Sequence, residues 1–403
     1  MLDIGDIYKV DIIDLDSNGR GVAKINNFVL FIEGALPGEV CEIEIVSVKK
    51  KFAIAKLVEI LEVSLNRVIP KCKHYNQCGG CDIMHMDYKS QIEFKKSKVL
   101  NAFKKQSNIE LDLKDINFSD QFNYRNKIVI RAKEGKLGFY SRNSNDIVKI
   151  EKCIIASHKI NEVIEYISSK LDYSDEFKAT IKEFDGEVLV SFESNNSDLS
   201  KFYQKLDNII LNGETKKGND FISFNLLNLK LKANSNSFTQ VNKHLTEKLY
   251  GKVIEHSKDS DEKLLVELYS GIGIMSLALA KNFEKGIGVE INQDSIYYSK
   301  INAEANNIKN IKFVKADANK FRVEDKVSLL VVDPPRAGLS SEGIESIDSI
   351  SPENIIYVSC NPSTLVRDLK LLEKYEIKAI SLFDMFPNTL HVESVVFLEN
   401  KKR

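Results

Sequence analysis

From Leu264 onward, strand-like runs alternate with helical stretches, and this alternation constrains the fold more than any other feature. The runs cover 264–268, 286–290, 311–314, 329–333, 355–359 and 395–398. Such alternation predicts a mostly parallel sheet with helices on its faces. The chain has 403 residues, more than one such sheet needs, so two or three domains are expected. Residues 1–62 read differently. Short β runs lie between turn signals such as Asp16-Ser17-Asn18-Gly19 and Leu36-Pro37-Gly38-Glu39. That spacing predicts a small OB-like barrel. Residues 63–222 form a central α/β region with a helix over 87–106 and β structure over 124–155. The expected architecture is multidomain α/β, divided as 1–62, 63–222 and 223–403. Residues 156–222 carry no motif.

Charge enters because the total hides its distribution. The chain holds 57 Lys and Arg against 58 Asp and Glu. Residues 66–150 hold 17 against 9, a net of +8, while residues 1–60 and 261–403 are each at −3. A basic segment between two acidic ones is the footprint of an anionic partner, or a solvated basic helix. No apolar run approaches the roughly 20 residues of a membrane span. The acidic start, MLDIGDIYKVDIIDLD, does not read as a secretory signal. A cytoplasmic address follows, where disulfides are not expected. Four of the six cysteines form one pattern, Cys72-x5-Cys78-Gly-Gly-Cys81 and then Cys153. Four thiolates suit zinc or an iron–sulfur cluster, and spacing alone does not choose.

Chemistry concentrates at the ends of the C-terminal strands. Leu264–Leu268 runs into Tyr269-Ser270-Gly271-Ile272-Gly273, where glycines let the backbone approach a cofactor. Nineteen residues after Gly271, Glu290 offers a carboxylate for ribose hydroxyls. Ser276 stands where a dinucleotide site has its third glycine, which argues against NAD. Asp333-Pro334-Pro335-Arg336 leaves another strand, and its prolines stiffen the exit. Asp317 follows a further strand and either reaches an adenine amino group or caps a helix. Cys360 ends the 355–359 run, just before a helix capped by Ser363 or Thr364. Thiolate is favoured at helix N-termini, so a nucleophile is expected there. Glu393 enters the last strand as a candidate buried base.

Together these tokens resemble the uracil-5-methyltransferase family of RNA enzymes. They are Ser-Phe-Thr-Gln-Val-Asn (237–242), Leu-Tyr-Ser-Gly-Ile-Gly, Gly-Val-Glu, Asp-Pro-Pro-Arg, Val-Ser-Cys-Asn-Pro and His-Val-Glu. The N-terminal β segment with Ala-Leu-Pro-Gly-Glu resembles the TRAM RNA-binding domain. The resemblance implies a C-terminal Rossmann-like methyltransferase domain that uses S-adenosylmethionine. It implies Cys360 as nucleophile, Glu393 as base, and Gln240, Tyr269, Glu290 and Asp333 at the methyl donor, with Gly271, Gly273 and Asp317. Phe238 offers an aromatic face to a flipped base and Arg125 an RNA contact. In the family the four-cysteine pattern implies a [4Fe–4S] cluster on Cys72, Cys78, Cys81 and Cys153, and with it 23S ribosomal RNA as substrate. Ser270 replaces a cysteine and Asn388 a histidine common in the family, departures that imply tuning. A monomeric enzyme is expected. The alternatives are a transfer-RNA uracil methyltransferase, a cytosine-5-methyltransferase, and a non-catalytic RNA-binding protein with a structural metal.

Overall fold

A computed structural model describes residues 2–107, 113, 116–195, 198–258 and 263–401. The chain divides into two compact units. One is Met1–Lys98 with Phe386–Leu390, and the other is Val99–Met385 with His391–Arg403.

The first unit is built on a six-stranded sheet. Its strands are β1 (Ile7–Asp11), β2 (Asp14–Leu15), β3 (Gly21–Ile25), β4 (Phe28–Ile32), β5 (Val40–Val48) and β6 (Phe52–Glu62), in the order β1-β5-β6-β4-β3-β2. All pairs are antiparallel except β4 with β6. Side chains alternate in and out along a strand. Thus Cys41, Ile43 and Ile45 of β5 point into a core shared with Val10, Leu30, Ile32 and Ala53. Cys41 is a core residue, and burial pushes its thiol up to about 11. The turn before β5 is held by a buried carboxylate. Glu39 accepts from Leu36 N at 2.8 Å and is bridged by the Arg67 guanidinium, which also donates to Gly34 O at 2.6 Å. An unpaired charge there is costly, so the two residues act as one device.

No strand or helix covers 63–87, and then helix α1 (Tyr88–Ser107) begins. Its first half and the preceding turn hold the short segment Phe386–Leu390. Gln91 Nε2 donates to Asn388 Oδ1 at 3.2 Å, and Asn388 N donates back to Gln91 Oε1 at 3.0 Å. Asp82 N and Ile83 N both donate to Asn388 O. Lys95 Nζ donates to Phe386 O and Lys98 Nζ to Leu390 O, each at 2.9 Å. Asn388 has a φ of 66°, a backbone state that asparagine tolerates better than most residues.

The second unit contains two sheets and a hairpin. After β7 (Ile116–Asn117) come β8 (Lys127–Lys133), β9 (Lys136–Tyr140), β10 (Ile147–Lys149), helix α2 (His158–Ser169), β11 (Phe177–Phe184), β12 (Glu187–Glu193), β13 (Asn208–Leu211) and β14 (Glu214–Lys217). The seven-stranded sheet runs β10-β9-β8-β11-β12-β13-β14. Ile160, Ile164 and Ile167 of α2 pack with Ile130, Ile181, Val190, Phe192 and Phe202. The stretch 221–234 is a hairpin, β15 (Phe221–Leu226) and β16 (Leu229–Asn234). Its two turn residues, Leu227 and Asn228, both take positive φ. That matches a primed turn, which suits strand twist.

The second sheet is the expected parallel one. Helix α3 (Thr246–Ser257) leads to β17 (Leu264–Leu268), α4 (Ile274–Leu279), β18 (Lys285–Glu290), α5 (Gln293–Ala305), β19 (Ile311–Lys315), β20 (Leu329–Val332), α6 (Ser341–Ile350), β21 (Asn354–Ser359), α7 (Pro362–Leu371), β22 (Tyr375–Phe383) and β23 (Glu393–Asn400). The order is β19-β18-β17-β20-β21-β23-β22-β7. The first five strands are parallel, while β23 is antiparallel to both neighbours. Strand order reverses between β17 and β20, and in open α/β sheets ligands bind at such a switch point. Among the described residues no helix is long and apolar enough to cross a membrane.

Candidate active site

The strand β17 ends in a sharp turn. Tyr269 takes a φ of 64°, Gly271 52° and Gly273 83°. A Cβ on Gly273 would collide with the Phe313 ring, so only glycine fits. A Cβ on Gly271 would meet nothing within 4 Å. Its backbone therefore borders open space at the switch point, which suits a close cofactor approach. Glu290, at the end of β18, accepts from Gly271 N at 3.0 Å and Asn292 N at 2.8 Å. Each of its oxygens keeps acceptor capacity for a diol. At the end of β19, Asp317 accepts from Asn319 N at 2.9 Å and so caps the following 3-10 turn. Tyr269 OH donates to Asn319 Oδ1 at 3.2 Å, linking the two strand ends. Gly271, Gly273, Tyr269, Glu290, Asp317 and Asp333 thus share the carboxyl edge of one sheet. This donor set fits a nucleoside with a charged side chain.

Antiparallel register does the next job. Ser359 of β21 pairs with Ser394 of β23, so the next pair outward is Cys360 and Glu393. Glu393 is only 4% exposed. Burial and the neighbouring Asp333 push its carboxyl well above the usual range. Burial pushes Asp333 up to about 7. For Cys360, burial, Glu393 and Asp333 push the thiol up to about 11, against the pull of Arg336 and its own backbone N–H. Burial first, and then Glu393 and Asp333, oppose the thiolate that a helix N-terminus favours. The helix cap is corrected. Asn361, not Ser363 or Thr364, caps α7 by accepting from Ser363 N at 3.1 Å, with Pro362 as first helical residue.

The loop bearing Arg336 is tied to the nucleophile turn. Arg336 O accepts from Asn361 Nδ2 at 3.2 Å and Thr364 Oγ1 at 3.3 Å. The Arg336 guanidinium meets the His391 ring at 3.2 Å. Farther along, Asp368 accepts from Leu339 N at 2.7 Å and Tyr357 OH at 2.6 Å.

Two buried charged residues escaped the sequence reading. Glu267 is buried in β17, accepts from Ser276 N at 2.8 Å and from Ser276 Oγ, and is pushed up to about 8 by burial. A charged residue inside Leu264-Leu265-Val266-Glu267-Leu268 was the available signal. Lys182, in the middle of β11, is the other.

Gln240 is buried, with Asn126 Nδ2 donating to its carbonyl at 3.3 Å. Phe238 lies two residues earlier and is 64% exposed. Arg125 is half-buried and donates through Nε to Lys127 O at 2.9 Å. The cysteine expectation fares differently. Cys72, Cys78, Cys81 and Cys153 are all half-buried. Among the described residues, no three Cys, His, Asp or Glu side chains come together as a metal site. The segment 63–87 that carries three of these cysteines holds no strand or helix.

Known proteins match this chain over nearly all of its length. The family described as tRNA (Uracil-5-)-methyltransferase matches residues 219–324 and 323–401, and the TRAM domain matches residues 2–58. An uncharacterized RNA methyltransferase of Clostridium acetobutylicum is 33% identical, covering 97% of this chain and 96% of its own. One from Caldanaerobacter subterraneus subsp. tengcongensis is 34% identical, covering 98% of each. The crystal structure of Pyrococcus abyssi tRNA (uracil-54, C5)-methyltransferase in complex with S-adenosyl-L-homocysteine superposes with a TM-score of 0.80 at 28% identity. It covers 97% of this chain and 99% of that one. With relatives this similar over its whole length, the chain belongs to the uracil-5-methyltransferase family of S-adenosylmethionine-dependent RNA methyltransferases, preceded by a TRAM domain.

Proposed function

We propose that this enzyme methylates carbon 5 of one uridine in 23S ribosomal RNA, as a monomer, with Cys360 as nucleophile and Glu393 as base. The observation that carries the chemistry is the β21–β23 register, which makes Cys360 and Glu393 the next pair beyond Ser359 and Ser394.

Carbon 5 of uracil is a weak nucleophile. The Cys360 thiol gives its proton to solvent and the sulfur adds to carbon 6, the carbon 5–carbon 6 double-bond electrons passing into an enolate that is nucleophilic at carbon 5. S-adenosylmethionine, when bound, supplies the methyl sulfonium that carbon 5 attacks. Glu393 then takes the carbon-5 proton, and the electrons of that C–H bond expel the sulfur from carbon 6. Arg336 acts on the first step, since its charge pulls the Cys360 thiol toward ionisation. Gly271, Gly273, Tyr269, Gln240, Glu290, Asp317 and Asp333 hold the donor. Phe238 and Arg125 meet the RNA. Burial keeps water from Glu393, which helps retain a high proton affinity.

The ribosomal reading is supported by the four-cysteine pattern and carries with it a [4Fe–4S] cluster. No step passes through that cluster. A second reading, methylation of transfer RNA, is supported by the similarity to the Pyrococcus abyssi enzyme. One experiment separates them. Methyl-labelled S-adenosylmethionine is supplied with ribosomal and with transfer RNA that lack 5-methyluridine. Label in 5-methyluridine of ribosomal RNA alone is the expected result. Label in transfer RNA alone overturns the ribosomal reading, and no label in either overturns the chemistry.

A further inference from the structure

Lys182 sits inside the seven-stranded sheet and is 0% exposed. Its Nζ donates to two carbonyls, Asn234 O at 2.7 Å and Ser237 O at 2.5 Å. A buried amine is unfavourable unless its hydrogen bonds are made. Burial, with Lys127 nearby, pushes this amine down to about 6. A group this costly has a structural task, and both of its acceptors lie in one loop.

The loop at 234–240 is closed on itself. Asn234 Oδ1 accepts from Ser237 N and Ser237 Oγ at 2.8 Å, and from Asn236 N at 3.1 Å. Its far end is held from the next residue of the same strand. Glu183 N donates to Asn126 O at 2.8 Å, Asn126 N donates to Val241 O at 3.0 Å, and Asn126 Nδ2 reaches Gln240 O. So β11 holds both ends of the loop, the near end through Lys182 and the far end through Asn126. Ser237, Thr239 and Gln240 are buried between these anchors, while Phe238 stands out into solvent. An exposed aromatic on a clamped loop is a preorganised stacking surface.

We propose that Lys182 is a positioning residue that clamps the 234–240 loop so that Phe238 presents a fixed aromatic face to the target base. The proposal rests on the uridine-methylation reading, in which the base leaves its stack to reach Cys360. The Phe238 face then replaces part of the stacking the base gives up. Without the clamp, two buried carbonyls lose their donor and the loop re-forms around them.

The test is a double-mutant cycle on the full chain. Lys182→Met keeps the length of the side chain and removes the donor, and Phe238→Ala removes the ring. Each single variant is expected to raise the KM for RNA about tenfold. Binding of S-adenosylmethionine, measured by calorimetry, moves less than about threefold, because the Asn126 anchor is intact. The double variant is expected to be no worse than the poorer single by more than about twofold. Multiplicative effects, or an unchanged KM in K182M, overturn the proposal. Asn234→Ala opens the loop while keeping Lys182, and its cycle with F238A decides the matter if K182M does not fold. Covalent trapping on 5-fluorouridine RNA by the unaltered enzyme is the control. Absence of that adduct overturns the uridine reading and this proposal with it. An adduct that forms equally well in K182M overturns this proposal alone.

Discussion

The strand tips of the C-terminal sheet and the cysteine segment of the first unit both announce themselves in sequence, but the fold treats them differently. At the strand tips each chemical group inherits its place from backbone pairing. Cys360 and Glu393 come together because β23 lies antiparallel to β21. Glu290 is set by two backbone N–H groups. The cysteine segment is held by turn and side-chain bonds, among them Cys78 N to His74 O at 2.8 Å and a Tyr75 hydroxyl shared between His85 Nδ1 and Asp82 O. These are not a strand register. A regular scaffold preorganises a site, whereas a turn-rich segment leaves a bound group to gather its own ligands.

The largest expected effect is at the strand tips. Cys360→Ala should lower methyl transfer by about 10⁴-fold or more and abolish the 5-fluorouridine adduct, because the nucleophile is gone. Retained turnover in the labelled-donor assay would remove Cys360 from the chemistry. Next, Glu393→Gln should slow turnover by about 10²–10⁴-fold while the adduct with ordinary uridine RNA accumulates, since proton removal follows addition. A gel-shifted protein–RNA species, resistant to denaturant, is the readout. If the adduct fails to build up, the base is another group.

A smaller effect tests how the thiol is tuned. With Cys360 near 11, the thiolate fraction rises about tenfold per pH unit below that value, so the rate of adduct formation should climb with pH. Arg336→Met removes the charge that lowers the thiol, shifts the profile to higher pH, and slows the reaction at neutral pH by about threefold to tenfold. A pH-independent rate would mean the thiol is already ionised at rest. The smallest kinetic effect falls on the other region. Iron assay of protein isolated without oxygen should find about four irons per chain, lost in Cys78→Ser, with turnover on naked RNA changed less than about threefold. Iron-free protein would remove the support for the ribosomal reading.

Sequence reading went furthest where a residue's role depends on its own strand. The parallel strands and the glycine turn were legible because local periodicity and breakers determine them. The pairing of Cys360 with Glu393 was not, since it depends on β23 inserting between β21 and β22, a strand the pattern never announced. Its Tyr375–Phe383 run is half polar and lies near the sheet edge. The 156–222 stretch read as mute for a related reason. Its sheet buries one face, so Lys182 looked like any solvent-facing lysine of an alternating strand. Only the loop that crosses above it reveals that the position is interior.

The Phe386–Leu390 excursion has a consequence for how the molecule is made. These five residues pack with the first 98, so the N-terminal unit is not one continuous stretch of chain. Partners of Gln91, Lys95 and Lys98 in this segment are translated only after Met385. The six-stranded sheet can form early during synthesis, but the clasp around Asn388 must wait until Phe386–Leu390 has been made. A nascent chain that stops short of Phe386 leaves the buried Lys95 facing a missing carbonyl.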